Sequence, residues 1–130
     1  MKVEEVQDPN IQRKKAVVAA FKHSWKGYKE FAWGHDNLKP INKSFHDVFG
    51  LGLTIVDSLD TMFIMDLQEE FEEAKNWVAK SLTFDVDKDV NLFEVTIRVL
   101  GGLLSIYHLS GDKMYLEKAV RTHQLPLKFI

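Results

Sequence analysis

The segment Asn91–Leu109, NLFEVTIRVLGGLLSIYHL, constrains this chain more than any other. Wound as a helix, it carries Phe93, Ile97, Leu100, Leu104 and Tyr107 on one stripe and Leu92, Thr96, Val99, Leu103 and Ile106 on a second. A helix apolar on two faces is normally buried between neighbours in a larger assembly. The remaining face holds Glu94, Arg98, Gly101, Gly102, Ser105 and His108. Each of the two glycines costs about 1 kcal/mol relative to alanine inside a helix, so close packing or close approach of a ligand is the expected compensation. Glu94 and Arg98 stand four apart. In one reading they form a surface ion pair worth about 0.2–0.5 kcal/mol. In the other, the apolar flanks keep Glu94 partly dry, a setting suited to a general acid.

The rest of the chain reads as further helices joined by loops. Asp8-Pro9 is a start signal, with aspartate as cap and proline in the first turn. Val17, Phe21, Trp25, Tyr28 and Phe31 then recur at spacings of three and four, and the helix should end near Ala32–Gly34. Trp33–Gly52 is a connection rich in Gly, Asn, Asp and Pro, longer than the roughly 12–15 residues beyond which loops are often functional. A second helix is predicted over Leu53–Met65, with a polar stripe of Thr54, Asp57, Ser58, Asp60 and Thr61. A third is predicted over Gln68–Ser81, with Phe71, Ala74, Trp77 and Val78 inward. An acidic loop follows at Thr83–Val90, and a last helix begins near Lys113. The expected fold class is all-α, built of helical hairpins in a bundle or part of a helical toroid, with no convincing strand.

Several function classes are excluded by composition. Seventeen Lys and Arg against nineteen Asp and Glu leave a charge of −2, which gives no basic footprint for nucleic acid. With no cysteine there is no disulfide framework, thiolate zinc site or cysteine nucleophile. The longest uninterrupted apolar stretches, around Phe49–Val56 and Val99–Leu104, fall short of the about 20 residues a membrane span needs, so none is expected. Residues 1–10 read as a polar leader without the apolar core of a signal peptide. Asn42-Lys43-Ser44 is an N-glycosylation sequon. Asp85–Asn91 begins like a calcium-binding loop but has Val90 where the turn glycine belongs and Thr96 where the bidentate glutamate belongs. His35-Asp36 and His46-Asp47 are metal-ligand types without metal-ligand spacing, and read as ordinary loop residues.

Four stretches together resemble one family: FAWGHDNLKP (Phe31–Pro40), FGLGLTIVDSLDTMFIM (Phe49–Met65), EEFEEAKNWV (Glu69–Val78) and VNLFEVTIRVLGGLLSIYHLSGD (Val90–Asp112). They resemble the class I α-1,2-mannosidases, glycoside hydrolase family 47, and the WGHD and FGLGLT segments lie closer to the endoplasmic reticulum branch than to the Golgi branch. The resemblance implies that the chain's helical hairpins form the first part of an (αα)7 barrel. It also implies an inverting hydrolase acting on terminal α-1,2-linked mannose of high-mannose N-glycans, located in the endoplasmic reticulum or Golgi. By motif matching, Glu94 takes the place of an active-site acid, Arg98 that of a glycan-contacting arginine, and Asp57 that of an acid lining the same pocket. A Ca2+ ion is implied as cofactor, its ligand lying outside this sequence. Residues 11–119 are expected to be the N-terminal segment of the catalytic domain and residues 120–130 a divergent tail. Inversion needs a second carboxylate about 6.5–9.5 Å from the acid, and the family's other acids come from later segments. The chain alone is therefore expected to be inactive. The alternatives are a non-catalytic helical module that binds a glycan or a partner, and an unstable truncated product.

Overall fold

The computed structural model describes residues 8–128, so most of the expected polar leader lies outside the described residues. Asp8 caps the first helix, α1 (Pro9–Phe31), by accepting the Asn10 N–H at 2.9 Å. Two short strands, β1 (Asn37–Lys39) and β2 (Ser44–His46), pair antiparallel with Asn37 opposite His46. Helices α2 (Leu53–Ile64) and α3 (Gln68–Lys80) follow as a hairpin. Strand β3 (Val90–Asn91) leads into α4 (Leu92–Ser110), then α5 (Lys113–Val120), a 3-10 turn (Arg121–Gln124) and β4 (Leu127–Lys128). β4 returns to pair in parallel with β3, Val90 opposite Leu127. The predicted helices are all present, within a residue or two of their expected bounds, and the described residues are all-α apart from two small strand pairs.

Helix α2 is the centre of the molecule. Leu53, Ile55, Val56, Leu59 and Met62 are buried along it, and it packs against both α3 and α4, which in turn carries α5. On α3, Phe71, Ala74 and Val78 point inward as predicted, while Trp77 is only partly buried.

The two-stripe reading of α4 resolves into a covered and an uncovered face. Val95, Val99, Leu103 and Ile106 are buried, whereas Phe93, Ile97 and Leu104 are 67%, 54% and 41% exposed. Residues Val95–Leu100 form a π-helical turn, which breaks the 3.6-residue phase. Val95, four residues before Val99, takes the buried face that Leu92 and Thr96 were expected to share, leaving Leu92 half-buried and Thr96 exposed. Leu92–Ser110, at 19 residues, is long and apolar enough to cross a membrane by length and composition alone, but one face of it packs on α2, and it gives no clear span.

The Trp33–Gly52 connection is ordered around one carboxylate. Asp36 is fully buried. Its Oδ2 accepts the N–H groups of Phe49 (2.6 Å) and Gly50 (2.7 Å), and its Oδ1 those of Leu51 (2.8 Å) and Leu53 (3.2 Å). Its carbonyl oxygen accepts the Thr54 hydroxyl at 2.7 Å and the Thr54 N–H at 3.2 Å. Helix α2 has Gly52 at its N-cap and no capping side chain of its own. Asp36 fills that role from sixteen residues upstream and satisfies N–H groups that would otherwise be orphaned in the core. Asp36 is itself positioned by Asp47, whose Oδ1 accepts the Asp36 N–H at 2.9 Å and whose Oδ2 lies 2.8 Å from His35 Nδ1. His35, expected to be an ordinary loop histidine, is thus part of the network that holds Asp47.

Two glycines permit the approach of Trp77. A Cβ on Gly52 would sit 2.3 Å from the Trp77 ring and one on Gly34 would sit 2.9 Å from its Nε1, and both residues have positive φ.

Hydrogen bonds to a charged acceptor contribute about 1.5–3 kcal/mol each. Asp36→Ala leaves several buried N–H groups unpaired and should destabilise the chain by about 3 kcal/mol or more in urea unfolding. Acid should act through carboxylates that the fold holds low, Asp47 and Asp112 among them. Burial, the largest influence on Asp47, pushes its carboxyl up, but the Asp36 N–H and His35 outweigh it and hold the group below its ordinary range. Asp112 is held low chiefly by its hydrogen bond with Lys75, then by the Met114 N–H. For groups lowered by folding, the stabilisation is complete above the unfolded carboxylate pKa of about 4 and is lost as pH falls through the lower folded values. Unfolding free energy should therefore be flat near neutrality and drop below about pH 4. Asp112→Asn, which keeps an acceptor for the Met114 N–H, should make that drop shallower.

Candidate functional site

The polar stripe of α2 and the polar face of α4 meet each other. Arg98 reaches across from α4, and its Nε and Nη2 both donate to Asp57 Oδ2 on α2 at 2.8 Å. One turn along, the Ser105 hydroxyl donates to Asp60 Oδ2 at 2.7 Å. Glu94 Oε2 lies 3.7 Å from Arg98 Nη1, so the i,i+4 contact is present but is the longer of the two. Glu94, Arg98 and Asp57 are therefore brought together, and each side chain remains between about three-tenths and four-tenths exposed. The arrangement leaves the Glu94 carboxylate with its strongest basic neighbour committed to Asp57. Asn91 caps α4 by accepting the Glu94 N–H at 3.0 Å, which fixes Glu94 in the first turn.

Arg98 lies within the π-helical turn and Glu94 directly precedes it. Such turns displace side chains from the regular helical register and occur often at functional sites. A cavity of about 460 Å³ opens beside them, lined by Val48, Phe49, Asp89, Asn91, Glu94 and Arg98. Val48 and Phe49 belong to the segment gathered by Asp36, so the buried carboxylate shapes one wall of the cavity. The long connection suspected from its length thus reaches the site, through a wall and not through its histidines.

The α2–α4 approach depends on Gly102. A Cβ there would stand 3.1 Å from the Val56 carbonyl oxygen and 3.2 Å from Val56 Cγ1. Close helix packing, one of the two compensations expected for the glycine pair, accounts for Gly102. Among the described residues no group of three or more His, Cys, Asp or Glu could hold a metal ion. The described residues therefore offer no carboxylate cluster of the kind that holds calcium.

Sequence reasoning found all three members of the cluster and missed the Asp36 capping network. A usable signal existed in the FGLGLT run, where α2 begins on a glycine with no Ser, Thr, Asp or Asn to cap it. A buried helix start without a local cap requires a distant acceptor.

Comparison with known proteins makes the class definite. Residues 20–125 match the model for glycosyl hydrolase family 47, and the chain belongs to that family. It is 64% identical over 107 residues to the human endoplasmic reticulum mannosyl-oligosaccharide 1,2-alpha-mannosidase, covering 82% of this chain and 15% of that protein. It is 56% identical over 115 residues to the mannosyl-oligosaccharide 1,2-alpha-mannosidase MNS1 of Arabidopsis thaliana, covering 87% of this chain and 20% of the relative. Among solved structures, the alpha-1,2-mannosidase from Trichoderma reesei superposes with a TM-score of 0.81 at 32% identity, over 86% of this chain and 26% of that one. The hairpins α2–α3 and α4–α5 thus form part of an (αα)7 barrel, as the sequence resemblance implied. The chain spans about a sixth of the length of its human relative.

A larger side chain at Gly102 must push α4 away from α2. Gly102→Val should cost about 1–3 kcal/mol by overpacking, read as a lower urea midpoint at unchanged slope.

Proposed function

We propose that this chain carries one part of the catalytic domain of a mannosyl-oligosaccharide 1,2-α-mannosidase, which hydrolyses terminal α-1,2-linked mannose of high-mannose N-glycans with inversion. The observation that supports this most is the junction of Arg98 with Asp57 beside Glu94, in a family 47 chain whose named relatives act on mannosyl-oligosaccharides. Glu94 is the general acid that protonates the leaving glycosidic oxygen, directly or through a water. Arg98, fixed in direction by Asp57, presents its remaining guanidinium N–H groups to sugar hydroxyls. Asp57 stands behind Arg98 and keeps it from neutralising Glu94. The naming of relatives after the endoplasmic reticulum supports an address in the secretory pathway, the endoplasmic reticulum or Golgi. The family's calcium would be held by residues other than these.

The reaction needs a second carboxylate on the far side of the sugar to activate water. Asp57 is engaged by Arg98, which makes it a poor base for that task. The exposed Phe93, Ile97 and Leu104 stripe on α4 calls for covering structure as well. Residues 11–119 are accordingly read as one segment of the catalytic domain, and the 130-residue chain by itself should release no mannose from a high-mannose glycan, with calcium or with chelator.

Losing a general acid typically lowers rate by about 10²–10⁴-fold. In an enzyme that carries these residues within a complete catalytic domain, Glu94→Gln should lower kcat by about that factor while glycan binding persists. Near-normal turnover by this variant would rule out Glu94 as the acid.

A further inference from the structure

We propose that Asn42 is an acceptor for an N-linked oligosaccharide, presented by the β1–β2 turn. The sequon Asn42-Lys43-Ser44 has a residue other than proline in its middle position. Sequons arise by chance, and what distinguishes this one is its place in the fold. The register sets Lys39 opposite Ser44, which makes residues 40–43 the reversing turn of a hairpin. Asn42 is exposed, and the neighbouring Ile41 is 94% exposed. Lys43 has a φ of +48°, the left-handed conformation that turns the chain back into β2. Its ammonium lies 5.5 Å from the centre of the Phe31 ring, so that side chain folds back over the end of α1 and leaves the sequon asparagine clear.

The hairpin is held from beneath, so a bulky group at its tip need not disturb it. Phe45 stacks on His35 with ring centres 3.4 Å apart, and His35 is tied to Asp47. The cavity at Glu94 and Arg98 is walled by residues after the hairpin and not by the turn, so a glycan at Asn42 would stand outside the candidate site. It would also shield Ile41, an apolar side chain that the fold leaves almost wholly in water.

The modification is a group transfer from a lipid-pyrophosphate-linked oligosaccharide, catalysed by a host oligosaccharyl transferase. The bond between C1 of the reducing-end N-acetylglucosamine and the pyrophosphate oxygen breaks, and a bond forms from that C1 to Asn42 Nδ2. The lipid pyrophosphate leaves, and the amide proton passes to a base of the transferase. That the chain meets this donor in life rests on the secretory reading above; the capacity of the site does not.

The two can be separated by translating the whole chain into microsomes behind a cleavable signal sequence. The expected result is a single mobility step that peptide N-glycosidase removes, that Asn42→Gln and Lys43→Pro abolish, and that Ser44→Thr retains. The glycosylated chain and Asn42→Gln should share one helical spectrum and one thermal midpoint. A protease-protected chain that carries no glycan at Asn42 would overturn the proposal. That failure would leave the mannosidase reading intact, because that reading is tested at Glu94 in an assay for mannose release.

Discussion

One buried carboxylate organises this chain. Asp36 gathers the N–H groups of Phe49, Gly50, Leu51 and Leu53, and its carbonyl holds Thr54, so the start of α2 is capped from a distant loop. A buried charge is costly unless it is fully hydrogen-bonded, and here the bonding is supplied by backbone groups that would themselves be costly if unpaired. Each side of the contact solves the other's problem. The consequence reaches beyond the loop, because α2 is the helix against which both α3 and α4 pack. Phe49, tied to Asp36 at 2.6 Å, also lines the cavity at Glu94 and Arg98.

The candidate site follows from the meeting of two polar stripes. Asp57 and Asp60 on α2 face Arg98 and Ser105 on α4, and each pair closes at 2.7–2.8 Å. Gly102 allows that approach, since a Cβ would press on the Val56 carbonyl. The pairing of Arg98 with Asp57 leaves Glu94 the least engaged carboxylate of the three, and it borders open space. Asp89 is the other carboxylate that lines the cavity beside Glu94.

Much of this was legible in the sequence, for physical reasons that can be stated. Helices announce themselves by periodicity, and Asp8-Pro9 marked the start of α1 to the residue. The stripes containing Glu94, Arg98 and Asp57 stood out because charged residues repeated at helical spacing beside apolar faces. The Asp36 network was not legible by the same means, since its partners are backbone groups that carry no side-chain signature. The β1–β2 hairpin is three residues per strand, too short to show alternation. The π-helical turn likewise left no compositional mark.

Amide hydrogen exchange at Phe49, Gly50, Leu51 and Leu53 tests most directly whether Asp36 governs this architecture. The account predicts that these four amides exchange as slowly as those in the middle of α2, although three of them precede the helix. It also predicts that Asp36→Asn speeds them selectively and perturbs the resonances of Glu94 and Arg98 through the shared cavity wall. Fast exchange of these amides in the unaltered chain, or a site untouched by Asp36→Asn, would contradict it.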